Sequence, residues 1–239
     1  MQSTVSARAA APEAAAPAQL ALFDLDGTLL SVDTNQAFGS YLVGLGWCDG
    51  GDWTRRNAAF LDDHHRGELD LHRYIDFSTA AWRGRPMEEV QAVRAAFVRD
   101  IIRPAIPAAA RALVRRHVDA GDLVALVTGT NEFLAEPIAA ELGIAHVLAV
   151  RLERDAAGGV TGRIDGIPSF HAGKIDRVHE WLAQRRTQLE AFDEVSFYGD
   201  SVNDIPLMEC VNRPVAVNPS PQLQALALQR GWPIVQLLD

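Results

Sequence analysis

From Pro107 onward, short runs rich in Val, Leu and Ile alternate with longer runs whose apolar residues recur at helical spacing. The spacing predicts helix 107–119, strand 123–127, helix 132–142, strand 146–150, helix 172–188, strand 195–198, helix 203–211, strand 215–217, helix 221–230 and a short strand 234–236. Strands joined by helical crossovers pair in parallel, and a parallel sheet needs cover on both faces. Leu20 to Phe23 reads as a first strand of the same sheet. The block 34–104 differs: apolar residues recur every three or four positions, breaks fall at Gly50-Gly51, Gly67 and Gly84-Arg85-Pro86, and three to four helices are expected with no strand. Gly158-Gly159 between two strand-like segments marks a hairpin within 151–166. The expected class is therefore α/β. A doubly wound, Rossmann-like parallel-sheet core comprises 19–33 and 105–239, a helical-bundle cap comprises 34–104, and the Ala/Pro-rich residues 1–18 form a disordered tail.

Ligands of such sheets bind beyond the carboxyl ends of the strands. The first strand delivers Asp24, with Asp26 just past it; the second ends in Thr128-Gly129-Thr130-Asn131; strand 195–198 ends in Gly199-Asp200-Ser201-Val202-Asn203-Asp204. Lys174 opens a helix after Gly173. Carboxylates gathered at one edge repel at roughly 4 kcal/mol per close pair near a surface, so they require cations. Lys174 supplies one. Oxygen-only donors point to Mg2+ rather than zinc, and magnesium commonly takes one or two carboxylates together with a substrate phosphate. Phosphoryl chemistry follows as the expectation.

In an extended segment Asp24 and Asp26 point to one face. Asp24 is placed to attack phosphorus and form an aspartyl-phosphate, while Asp26 protonates the leaving alcohol and later deprotonates water. Lys174 and the Thr128 hydroxyl, with the Gly129 amide, would hold phosphoryl oxygens. Thr130 and Asn131 complete the expected substrate-binding turn.

These residues resemble the four motifs of the haloacid-dehalogenase superfamily, and within it the phosphoserine phosphatase-like subgroup whose cap follows the first strand. Asp24 to Thr28 (DLDGT), Thr128-Gly129, Lys174 and Gly199 to Asp204 (GDSVND) occur in the family's order and span residues 20–237. The resemblance implies the HAD-like core and a metal held by Asp24, the Asp26 carbonyl and Asp200, with Asn203 and Asp204 supporting. It also bears on the substrate. Phosphoserine-specific relatives carry a Glu after the first motif and a cap Arg that grips the substrate carboxylate; these align with Asp33 and Ser78. An acid to meet an amine is kept and the carboxylate clamp is lost, although Arg55, Arg56, Arg66 and Arg73 are nearby in sequence. The histidinol-phosphate phosphatases of the subgroup act on an amine without a carboxylate, and the residues fit that substrate better than phosphoserine.

Composition narrows the partners. A net charge of −9 with no basic patch argues against nucleic acid and anionic membrane, so any phosphate must be met by local cations. Two cysteines without metal spacing and no apolar run near the ~20 residues of a membrane span suggest a reduced, cytoplasmic protein. A small phosphorylated metabolite is the expected partner and a monomer or homodimer the expected state. Asp26 argues against a dehalogenase, which needs no such acid. A phosphomutase would use the same motifs with a bisphosphate cofactor, and a non-enzymatic phosphate sensor or scaffold should have lost Asp24, Asp26, Lys174 or Asp200. His64 and His65, about 100° apart on a helix, read as surface residues with reach to a substrate. Trp47, Trp53 and Trp82 read as packing.

Overall fold

A computed structural model describes residues 19–238. The expected tail, 1–18, lies outside the described residues. Six strands form one parallel sheet: β1 (Gln19–Phe23), β2 (Leu123–Asn131), β3 (His146–Val150), β6 (Glu194–Gly199), β7 (Arg213–Val217) and β8 (Ile234–Val235), in the order β3-β2-β1-β6-β7-β8. β4 (Leu152–Arg154) and β5 (Val160–Ile164) form the expected hairpin apart from it. The chain winds outward from β1 to β3 and then crosses back to β6. The β1/β6 border is therefore the switch point, where a doubly wound sheet opens a crevice. Phe23 pairs with Leu126 on one side and Tyr198 on the other.

Side chains alternate across the sheet, as the two-residue period of a strand demands. Ala21, Phe23, Leu126 and Tyr198 face one apolar cluster, while Leu20, Leu22, Val127 and Phe197 face a second. The second is closed by α7 (Gly173–Gln184), α8 (Ile205–Met208) and α9 (Pro221–Arg230). The first is closed by α5 (Ala108–Ala120), α6 (Glu132–Leu142) and three helices that follow β1, namely α1 (Thr34–Gly44), α3 (Leu71–Ala80) and α4 (Met87–Phe97), while α2 (Gly50–Arg66) packs Trp53 and Phe60 against Phe77 of α3. A π-helical turn, Val98–Ile102, carries α4 on toward the sheet domain. Phe38, Leu42, Ile75 and Phe97 from the inserted helices thus share one core with Phe23 and Leu126 of the sheet. Trp82 stacks on Phe133 at 4.8 Å, and Trp53 is buried near Phe77 at 6.0 Å, so both pack as expected.

Three elements differ from their sequence-based spans. β2 runs on to Asn131, because Asn131 pairs with Val150 after an irregularity in the ladder. The helix starting at Gly173 stops at Gln184, two residues before Arg186 takes a left-handed backbone at φ 56°. Helix 203–211 is a 3-10 turn, Val202–Asp204, followed by one short α-helix at Pro206, since proline suits a first helical turn. No helix of the described residues is long and apolar enough to cross a membrane.

Candidate active site

Asp24 leaves β1 with its amide donating to the Tyr198 carbonyl at 2.9 Å, which fixes the strand end against β6. Gly27 follows at φ 78°, where a Cβ would stand 2.4 Å from Asp200 Oδ2; only glycine allows that approach. Gly173 lies so near the Pro168 carbonyl that a Cβ would come within 2.2 Å, and this close passage delivers Lys174 inward. Lys174, 2% exposed, donates to Asp24 Oδ1 at 2.7 Å and to Asp204 Oδ1 at 2.5 Å. Burial works against its charge, but Asp204 and Asp24 outweigh it and hold the ammonium above its ordinary value.

One lysine does not balance the acids it faces. Burial pushes Asp24 up to about 8 despite Lys174, and burial with Asp204 and Asp24 pushes Asp200 well above the carboxylate range. Asp24, Asp200 and Asp204 each offer an oxygen within 4.8 Å of the others, and this group could hold a metal ion. Among the described residues no side chain donates to the Asp200 carboxylate. Asp204 is more committed: Oδ1 takes Lys174, and Oδ2 takes the amides of Asp200 and Ser201 at 3.2 and 3.3 Å. Its stronger contribution is to anchor the lysine and the turn that presents Asp200.

Asp26 is held differently. Oδ1 accepts the Thr34 amide at 2.9 Å and the Thr34 hydroxyl, and Oδ2 accepts the Thr130 hydroxyl at 2.6 Å. Burial and then Asp33 raise its carboxyl to about 6, against the pull of Thr130 and Thr34. A carboxyl tuned to that range gives and takes a proton near neutrality. With both side-chain oxygens engaged, the main-chain carbonyl is what Asp26 has left for a cation.

A cavity of about 630 Å³ opens over this edge and is lined by Asp24, Asp26, Thr128, Gly129, Lys174 and Asp200 among others. Asp33 also lines it, with one oxygen capping α1 through the Gln36 amide at 2.8 Å; burial raises its carboxyl. The expectation for Thr130 gains a detail, and that for Asn131 needs correction. Thr130 lines the cavity, but its hydroxyl is spent on Asp26. Asn131 is not among the lining residues: it caps α6 by accepting the Leu134 amide at 3.2 Å and donates to Asn35 at 3.1 Å, an N-cap geometry that turns the carboxamide away.

The inserted helices bring residues the motifs did not name. His64, read as a surface residue, lines the cavity and meets the Asn203 amide at 3.3 Å. Asn57, Phe60 and Tyr74 line it as well. Tyr74 keeps its proton, because burial and then Asp33 and Asp26 push the phenol well up. Asn218, left-handed at φ 42°, donates to the Gly27 carbonyl at 2.8 Å and so braces the loop behind Asp26. Its position just past a strand end was the signal that could have found it.

None of the arginines weighed as carboxylate clamps lines the cavity. Arg55 and Arg66 pair with Asp52 and Asp63 at 2.5 Å, Arg56 covers Phe77 at 4.7 Å, and Arg73 is exposed. Ser78 bonds its own helix at Ile75. Lys174 is the sole lysine or arginine in the lining, among the described residues.

The model of the haloacid dehalogenase-like hydrolases matches residues 21–209. The chain belongs to this family. A histidinol-phosphatase of Neisseria meningitidis is 37% identical over 216 residues, covering 90% of this chain and 97% of the relative. A phosphoserine phosphatase of Mycobacterium tuberculosis is 31% identical over 223 residues, covering 90% and 69%. A crystal structure of a protein of unknown function from Bordetella pertussis superposes with a TM-score of 0.87 at 43% identity, covering 93% of this chain and all of that one. The sheet and inserted helices of this hydrolase therefore recur in a solved relative.

Proposed function

We propose that this hydrolase is a magnesium-dependent phosphomonoesterase acting on a small amino-alcohol phosphate, with histidinol phosphate as the leading substrate. The observation that carries the substrate class is the cavity's charge pattern. Among the described residues it offers Asp33 to an ammonium group and, Lys174 aside, no lysine or arginine to a carboxylate. The kinship with a histidinol-phosphatase supports the same reading.

The carboxylate cluster fits a magnesium ion. Asp200 stands half-buried with no donor among the described residues, and Asp24 and the Asp26 carbonyl complete an oxygen-only set. Bound there, the ion would offset the carboxylate charge and polarise the phosphoryl oxygens. The chain's own residues would do the rest. Asp24 attacks phosphorus and displaces the alcohol, whose oxygen takes the proton from Asp26. Asp26, now ionised, removes a proton from the water that cleaves the aspartyl-phosphate and restores Asp24. Lys174 draws Asp24 toward its ionised form, a pull that the ion would reinforce, and with the Thr128 hydroxyl and the Gly129 amide it steadies the charge on the phosphoryl group.

Phosphate release from a panel of amino-alcohol phosphates, with Mg2+ and with chelator, tests the proposal. The expected outcome is a kcat/KM for histidinol phosphate at least about 100-fold above that for phosphoserine, a gap of the size that an unmatched buried charge produces. Release should require Mg2+ and vanish in Asp24→Asn. Equal or reversed preferences would overturn the substrate class, and activity retained by Asp24→Asn would overturn the covalent step.

A further inference from the structure

We propose that Asn57 is the specificity residue of this cavity, hydrogen-bonding a planar nitrogen heterocycle at the end of the substrate remote from phosphate. The inference rests on the amino-alcohol phosphate reading above and adds to it the group that distinguishes one such ester from another.

Asn57, Phe60, Leu61 and His64 follow one another at i, i+3, i+4 and i+7 on α2, so they form one stripe, and all four line the cavity. The lower end of the stripe is located by His64, which meets Asn203 one residue from Asp204, the acid that holds Lys174. Asn57 lies seven residues earlier, about 10 Å along the helix axis. A phosphate ester with a three-carbon chain and a five-membered ring spans a comparable distance when extended. Between the two ends Phe60 and Leu61 supply an apolar wall, and Tyr74 stands edge-on to Phe60 at 5.4 Å to close it. Such a wall suits carbon and ring faces rather than charge.

The chemistry at Asn57 is then selective. The residue is 5% exposed, and its carboxamide makes no hydrogen bond to any described residue. Among the described residues the sealed, unpartnered polar side-chain atoms are those of Thr28, Ser169, Arg177 and Asn203; the Asn57 amide is not one of them, so its remaining exposure opens to the cavity it lines. Buried carboxamides without a partner in the protein are uncommon, and one aimed into a ligand cavity is available to the ligand. It carries both a donor and an acceptor. It can therefore meet an imidazole-type ring through N–H or through the bare nitrogen, whereas a carboxylate would accept only and an ammonium would donate only. Asp33 remains for the amine, and the two recognition tasks fall on different elements, the N-terminus of α1 and the middle of α2.

The test compares wild type, Asn57→Leu and Asn57→Ser on histidinol phosphate and on phosphoethanolamine, which shares the amine and the ester but has no ring. The readout is the ratio of the two kcat/KM values within one preparation, which a partly misfolded sample does not alter. The expected result is a wild-type ratio well above one that falls about thirtyfold in both variants, chiefly through KM for histidinol phosphate, as loss of a buried hydrogen-bond partner requires. A wild-type preference that both variants retain would overturn the role of Asn57 and leave the substrate reading intact. A wild-type ratio near one would overturn the reading and the inference together.

Discussion

Thr130 is buried beside Asp26, donates its hydroxyl to Oδ2 at 2.6 Å and receives the Asn35 amide at 3.4 Å. That chain of bonds positions the carboxyl and favours its ionised form, which in the proposed mechanism is the form left after proton donation. Replacing Thr130 with Val keeps the shape and removes the donor. The step it weakens is proton transfer at the leaving oxygen, worth roughly 10²–10⁴ in such reactions when lost entirely. We expect Thr130→Val to lower kcat for an alkyl phosphate about tenfold while p-nitrophenyl phosphate, whose leaving group needs no proton, stays within about threefold, since only a fraction of that contribution is removed. Equal losses on both esters in steady-state assays would show that Thr130 acts elsewhere. Asp24, Asp26, Lys174 and Asp200 were legible in the sequence because strand ends in a parallel sheet converge on one crevice and charges there must balance. Asn131 departs from expectation because adjacent polar residues at a strand end look alike in sequence. Which of them faces ligand depends on the helix cap that follows.

At the scale of elements, α6 carries Pro137 in its interior. The missing N–H leaves the Phe133 carbonyl without its intrahelical donor, and the proline ring pushes it outward. Arg94 of α4 takes that carbonyl at 2.8 Å and lays its guanidinium over the Phe133 ring at 4.3 Å, joining the inserted helices to the sheet domain. Burial lowers the Arg94 pKa, as expected for a guanidinium half out of water. Arg94→Ala should cost about 1–3 kcal/mol by orphaning that carbonyl. In a Pro137→Ala background the helix can satisfy it, so the cost of Arg94→Ala should shrink by about 1 kcal/mol in denaturant unfolding. Additive costs would refute the coupling. The sequence displayed the proline but not its partner, since 43 residues separate them in the chain. The same limit hid the wall of α2: its helical period was readable, yet only packing against the core decides whether His64 faces solvent or ligand.

For the whole molecule the sheet and the inserted helices share one apolar cluster, so the cavity between them is walled by a continuous core. Against that core the protein holds Asp24, Asp200 and Asp204 close together with one lysine, a concentration of acid that a bound cation would offset. Removing one charge should therefore act in opposite directions with and without metal. Without metal, Asp200→Asn relieves repulsion and should raise stability by about 1–2 kcal/mol, as functional sites often do when their strain is removed. With Mg2+, wild type should gain further stability in proportion to the logarithm of metal over its dissociation constant, and Asp200→Asn should gain little. Calorimetry of both proteins in chelator and in excess Mg2+ decides the matter. If Asp200→Asn melts below wild type in chelator, the carboxylates are not in conflict in the metal-free fold. If instead the two melting curves exchange order when metal is added, the acids at the ends of β1 and β6 are kept together by the ion they bind and not by the fold.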